Sequence, residues 1–255
     1  MIWILAGTSD SYCLIEKLKE NIDIDIIATT ATDYGKKLLE EKYAVKAIRK
    51  KLKEDEMVHF INEHDIQYII DASHPFAERL SRNAISAAEK SGREYLRYER
   101  QSLDLSIYPA NRLIKAKDYL EAAEKANKFQ RIFLSTGSKT ANIFVENIEN
   151  YKERLFFRIL PAEKFLAKLI NLGLTPANIA ALQGPFSREF NRAIFKEYRA
   201  DVVVTKASGN RGGLKTKIEA ALELELPIII IERPEVVYPE KFEEINKLID
   251  HLRSN

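Results

Sequence analysis

Short apolar runs alternate with stretches of helical period along the whole chain. The runs predict strands at Ile2–Ala6, Ile24–Thr29, Ala44–Ile48, Tyr68–Ala72, Tyr95–Tyr98 and Leu113–Ala116. They continue at Ile132–Ser135, Phe156–Leu160, Ile179–Leu182, Val202–Thr205 and Ile228–Ile231. Several, such as Val202-Val203-Val204, are unbroken where a half-exposed strand would alternate. A strand covered by helices on both faces needs that pattern. The intervening segments predict helices at Ser11–Glu20, Asp55–His64, Phe76–Ser91, Asp118–Asn127, Ala162–Leu172, Ser187–Tyr198 and Leu214–Leu224. This rhythm is that of a doubly wound α/β fold.

So many strands overfill one small sheet, so the expectation is two α/β lobes with mainly parallel sheets and an interlobe cleft. Arg100–Asn111 is polar, holds Pro109 and shows neither period, which makes it the candidate crossover. The expected lobes are residues 1–108 and 109–255, with a last helix at about 239–253 able to pack on either lobe.

Composition narrows the class. The chain has 255 residues, 45% of them hydrophobic and 31% charged, as in ordinary globular proteins. Its formal net charge of +2 gives no basis for nucleic-acid binding. Cys13 is the only cysteine, which excludes an internal disulfide and a CxxC metal knuckle. His59, His64, His74 and His251 are scattered, so no metal site is expected. The first apolar run is too short for a signal peptide or a membrane span, and the expected location is the cytoplasm. Nothing in the sequence signals an oligomeric state.

The chain holds only 9 glycines, and Gly7, Gly137, Gly184, Gly209, Gly212 and Gly213 each follow the end of a predicted strand. Strand-to-helix turns favour glycine in any case. Clustered amid Ser, Thr, Lys and Pro, these positions instead favour a ligand-lined mouth. At the first turn, Gly7, Thr8 and Ser9 open a helix whose first N–H groups suit a pyrophosphate. The full G-x-G-x-x-G fingerprint is missing. The second strand leads into Thr29-Thr30-Ala31-Thr32, without the acidic residue that holds a ribose diol. With Lys36 and Lys37 following, that exit favours a phosphorylated ribose.

Asp71-Ala72-Ser73-His74-Pro75-Phe76 leaves the next long strand, and Pro75 holds His74 extended. Arg79 and Arg82 lie three apart on the following helix, as a solvated face or an anion grip. Ser135-Thr136-Gly137 repeats the hydroxyl–glycine turn, and Gly184-Pro185-Phe186 precedes a good helix cap at Ser187. The segment Thr205–Lys217 gathers glycines, hydroxyls and cations after a buried strand, the composition of an anion-binding nest.

These residues in this order resemble the precorrin-6A reductase family of cobalamin biosynthesis, which includes the cobalt-precorrin-6A reductases. The resemblance rests on the Ala-Gly-Thr opening, Asp71–Ala77, Ser135–Gly137, Gly184-Pro185-Phe186, Thr205–Gly209 with Lys217, and Glu232-Arg233-Pro234. It spans essentially the whole chain, although Ala6 and Asp10 replace the Gly and Glu usual in the family. It implies Rossmann-like lobes, NADPH as cofactor, and a polycarboxylate corrin-precursor substrate, one double bond of which is reduced. The implied cofactor residues are Gly7, Thr8, Ser9, Thr30, Thr136, Gly137, Lys206, Ser208 and Gly209. The implied substrate residues are His74, Phe76, Arg79, Gly184, Phe186, Arg211 and Lys217. No catalytic nucleophile or paired-carboxylate signature is legible, as fits a cofactor that carries the hydride. A nucleotide-dependent transferase and a nucleotide-sensing module are the competing readings of a two-lobed α/β chain.

Overall fold

In the computed structural model, residues 1–209 and 212–254 are described. The chain divides into two compact units, Met1–Gln101 with Glu235–Asn255, and Ser102–Pro234. The packing division falls at 101/102, inside the expected crossover Arg100–Asn111 and seven residues before the expected lobe boundary at 108/109. The second unit also ends before residue 235, so the tail belongs to the first unit.

In chain order the strands of the first unit are β1 (Ile2–Leu5), β2 (Ile26–Thr30), β3 (Lys46–Arg49), β4 (Tyr68–Asp71) and β5 (Glu94–Tyr98). The second unit holds β6 (Leu113–Ala116), β7 (Ile132–Leu134), β8 (Leu155–Ile159), β9 (Ile179–Ala181), β10 (Val202–Lys206) and β11 (Ile228–Ile231). A short β12 (Lys241–Phe242) returns to the first unit. The helices are α1 (Ser9–Asn21), α2 (Asp33–Glu41), α3 (Glu54–Glu63), α4 (Glu78–Ser91), α5 (Tyr119–Ala126) and α6 (Ala141–Asn147). They continue as α7 (Tyr151–Arg154), α8 (Glu163–Asn171), α9 (Arg188–Glu197), α10 (Leu214–Glu223) and α11 (Ile245–Ser254).

The first sheet has the order β12-β5-β4-β1-β2-β3 and the second β6-β11-β10-β7-β8-β9. Every neighbouring pair in them is parallel. The unbroken apolar runs are explained by two-sided burial. On β1, Ile2 and Ile4 enter a core with Leu14, Leu18 and Leu248, whereas Trp3 and Leu5 enter another with Met57, Ile69 and Ala84. In the second unit Phe133, Val203 and Ile230 pack against Phe195 of α9 and Ile218 of α10.

The last helix packs on the first sheet through Leu248, Ile249 and Leu252. It starts at Ile245, later than expected, because Lys241 and Phe242 pair with Arg97 and Tyr98 as a strand. Among the described residues, no helix is long and apolar enough to cross a membrane.

Candidate functional site

In an open parallel sheet, ligands bind outside the carboxyl ends of the strands where the strand order reverses. That point lies between β1 and β4 in the first unit and between β7 and β10 in the second. The predicted glycine turns stand at both.

In the first unit, Ala6, Gly7 and Thr8 make the whole turn between β1 and α1. Gly7 has φ +125°, a conformation that L side chains rarely adopt. Thr8 caps α1: its Oγ1 accepts from Ser11 N–H at 3.0 Å and donates to the Ala72 carbonyl at 2.9 Å. Ser11 Oγ accepts the N–H groups of Gly7 and Thr8 at 3.1 and 3.2 Å. These two amides brace the turn itself.

Thr30 is buried at the β2 exit and explains a glycine the sequence reading left out. A Cβ on Gly35 would stand 2.5 Å from Thr30 Oγ1, so α2 approaches the strand only with glycine there. Gly7 faces the same hydroxyl, with its virtual Cβ at 3.6 Å. Lys36 and Lys37, expected near the cofactor, reach along α2 to Glu40 and Glu41 at 3.7 Å each. The cation sharing the β2 exit is Arg49, in register with Thr30 and 3.1 Å from Asp33. The sequence reading missed it because β3 ends in a basic stretch that reads as solvated.

The β4 exit is built on Asp71, which is fully buried. Its carboxylate accepts Ser73 N–H at 2.9 Å, Arg97 at 2.9 Å, Ser81 Oγ at 2.6 Å and the Tyr95 hydroxyl at 2.7 Å. Burial opposes its ionisation, but Arg97 and these donors hold its pKa below the ordinary value. Arg97 in turn meets Glu99 at 2.5 Å. Asp71 therefore sets the backbone that carries His74 and is turned towards this network. His74 Nδ1 accepts the Phe76 N–H at 3.2 Å, which puts the proton of the neutral ring on Nε2. The His74 and Phe76 rings lie 5.7 Å apart. Arg79 is exposed, while Arg82 is bound to Glu78 at 2.9 Å and to the Glu235 carbonyl at 3.0 Å.

In the second unit, Val204 of β10 is in register with Leu134 of β7, so Lys206 and Thr136 leave the sheet side by side. Thr136 is buried and its hydroxyl has no hydrogen-bond partner among the described residues; the same holds for Thr205. Gly137 has φ +82°, and a Cβ on it would meet nothing within 4 Å, so space opens over this turn. Gly209, at φ +75°, lies under Arg233, whose Nη2 would be 3.3 Å from an added Cβ. Arg233 Nε donates to the Ala207 carbonyl at 3.0 Å. Ser208 Oγ donates to the Gly212 carbonyl at 3.3 Å, closing the loop on itself. Arg211, also expected to bind substrate, lies outside the described residues.

A group of cations converges here. Lys217 is buried, with Nζ 3.3 Å from the Gly212 carbonyl. Burial, then Arg158 and Lys206, push its pKa down to about 7. Burial, then Lys139, push Lys206 down to about 8. Arg158, on β8, is buried and lowered to about 10 by burial alone. Its guanidinium carbon lies 4.6 Å from the Phe186 ring centroid, and Phe186 stacks on Phe190 at 4.9 Å. Gly184 precedes a cis peptide to Pro185, and its virtual Cβ would be 3.0 Å from the Phe186 ring. The structure thus brings Lys206 and Arg158 to Lys217, with Phe186 against the guanidinium of Arg158, which the sequence reading missed. The available signal was an arginine inside the apolar run Phe156–Leu160.

The second unit also holds a pocket of about 640 Å³, lined by Leu103, Leu105, Tyr108, Ile230 and Arg233 among others. The Tyr108 hydroxyl is buried there without a hydrogen-bond partner among the described residues.

The chain is 42% identical over 260 residues to a cobalt-precorrin-6A reductase of Priestia megaterium, covering 100% of both chains. It is 36% identical to one from Methanocaldococcus jannaschii, covering 98% of this chain and 96% of that one. A solved structure of CobK precorrin-6A reductase shares the fold with a TM-score of 0.79 at 20% identity, covering 99% of this chain and 96% of that one. The family model described as precorrin-6x reductase CbiJ/CobK matches residues 1–253. On that match and on relatives of this identity over their full length, the chain belongs to the precorrin-6x reductase family CbiJ/CobK.

Proposed function

We propose that this protein reduces one double bond of cobalt-precorrin-6A, using NADPH, in cobalamin biosynthesis. The observation that carries the reading is the convergence of Arg158, Lys206 and Lys217 at a strand-order reversal. A buried Lys217 with Arg158 and Lys206 acting on it as like charges calls for an anionic ligand. A polycarboxylate macrocycle and a phosphorylated cofactor both supply such groups. Relatives from bacteria and archaea that carry the cobalt-precorrin name support the cobalt-loaded substrate, with cobalt as part of the substrate.

A nicotinamide cofactor fits what the turns offer. Among the described residues the buried Thr136 hydroxyl has no partner, and none comes within 4 Å of a Cβ built on Gly137. The β2 exit offers Thr30 and Arg49 where an NAD site would need a carboxylate. In this reading Gly7, Thr8, Ser9 and Thr30 are the cofactor residues proposed for the first unit, and Thr136, Gly137, Lys206, Ser208 and Gly209 those proposed for the second. His74, Phe76, Arg79, Gly184, Phe186 and Lys217 serve the macrocycle. When bound, the cofactor supplies the hydride, and a proton completes the saturation. The protein orients the two rings and neutralises carboxylates, which accelerates transfer by positioning.

The test is NADPH oxidation followed by absorbance with cobalt-precorrin-6A and metal-free precorrin-6A in parallel, and with NADH in place of NADPH. The expected result is oxidation of NADPH with the cobalt-loaded substrate and slower turnover with each substitute. No oxidation with either macrocycle refutes the function, and faster turnover with the metal-free substrate refutes the cobalt assignment. Faster turnover with NADH refutes the cofactor assignment.

A further inference from the structure

Arg158 continues the side of β8 on which Phe156 joins the core, so its side chain enters a space that a core residue would fill. A buried arginine ordinarily faces a carboxylate. Arg158 does not: among the described residues no carboxylate acts on it, or on Lys217. Its orientation is nevertheless set. Nη1 donates to Asn191 Oδ1 at 2.7 Å, and Asn191 Nδ2 is held by the Ser187 carbonyl at 2.8 Å and Thr216 Oγ1 at 3.3 Å. The Phe186 ring supports the guanidinium at 4.6 Å. A guanidinium has five donors, and among the described residues the hydrogen bond from Arg158 is that of Nη1 to Asn191, which leaves Nε and Nη2 for a ligand.

We propose that Arg158 and Lys217 grip one carboxylate of the macrocycle, Arg158 as a two-pronged fork oriented by Asn191 and Phe186. The planar fork matches a carboxylate through two parallel hydrogen bonds, and the ammonium adds a point charge beside it. The stacked pair Phe186–Phe190, at 4.9 Å and 14°, supplies the flat apolar surface that the edge of a macrocycle needs and a phosphate does not. The inference rests on the proposed function, and a cofactor phosphate is the competing source of the anion.

The test uses Arg158→Met, Arg158→Lys and Lys217→Met with two probes, uroporphyrin III as a polycarboxylate tetrapyrrole and NADPH, each titrated by fluorescence. Either methionine removes a buried cation that no carboxylate offsets, so the melting temperature is expected to hold or rise. Uroporphyrin affinity is expected to fall about tenfold to a hundredfold, since each change removes charge-assisted hydrogen bonds. Arg158→Lys keeps the charge without the fork and should recover only part of that loss. NADPH affinity should stay within about twofold of wild type. Unchanged uroporphyrin binding, loss of NADPH affinity in its place, or a melting temperature lowered by Arg158→Met would each overturn the fork. A wild-type enzyme that does not oxidise NADPH with the macrocycle refutes the proposed function itself. An active wild type with unaffected variants overturns this inference alone.

Discussion

Thr8 and Ala72 are joined by a hydrogen bond from Oγ1 to the carbonyl oxygen at 2.9 Å, which ties the β1 exit to the β4 exit. The same hydroxyl caps α1, so one side chain fixes both edges of the crevice at the reversal of strand order. Thr8→Ala removes the cap and the tie together and should cost about 1–2 kcal/mol of stability. Thr8→Ser keeps the hydroxyl and should recover most of it. Urea unfolding of the two variants checks this, and equal losses would show that the methyl group matters more than the hydrogen bonds.

Asp71 is the buried anchor of the loop that carries His74. Asp71→Asn leaves Arg97 with Glu99 as its remaining carboxylate and should destabilise by about 3 kcal/mol or more. The pH dependence follows from the depressed pKa of Asp71. Such a group contributes stability that is present above its unfolded pKa, about 3.9, and is lost as pH falls through the lower folded value. The wild type should therefore lose stability below about pH 4 more steeply than Asp71→Asn does. Parallel acid limbs in urea unfolding would contradict this.

Arg49 bears on cofactor choice. It shares the β2 exit with Thr30, whereas Lys36 and Lys37 are paired along their own helix. Its ion pair with Asp33 is half exposed and worth little, so it can yield to a phosphate. Arg49→Ala should weaken NADPH binding by about tenfold and leave NADH binding nearly unchanged, since only NADPH carries the extra phosphate. Fluorescence titrations with both cofactors decide it, and equal losses for the two would remove Arg49 from the discrimination.

These predictions divide between residues the sequence revealed and residues it concealed. The central strands were legible because two-sided burial writes itself as unbroken apolar runs, as in Val202-Val203-Val204. Their exits were legible because glycine and hydroxyl residues gather there. The helix over Asp33–Glu41 was not, since Gly35 in its first turn reads as a break until Thr30 is seen against it. The pair Lys241–Phe242 is too short for any period to show and becomes a strand only by pairing with β5. Arg158 was hidden for another reason. A single charge in a strand normally marks the solvent face, and only tertiary packing shows that this one is enclosed by Asn191 and Phe186.

Lys206 and Lys217 give the site a pH signature with two opposite signs. Burial is the first cause of both shifts, and it brings the amines down to about 8 and about 7. In the unfolded chain each amine binds its proton up to about pH 10.4, so between pH 7 and 10 the unfolded state carries more protons than the folded one. Stability of the ligand-free protein should therefore rise with pH across that window. Anion binding must move the other way, because it needs the ammonium forms and loses them as pH rises through the same values. Affinity for a polycarboxylate should fall by up to about tenfold per pH unit as Lys217 titrates, and affinity for NADPH likewise as Lys206 does. Lys217→Met should flatten both slopes. Urea unfolding and titrations with uroporphyrin and with NADPH across pH 6.5 to 9.5 test the pair. If affinity and stability rise together, the two amines are not the groups that meet the anion.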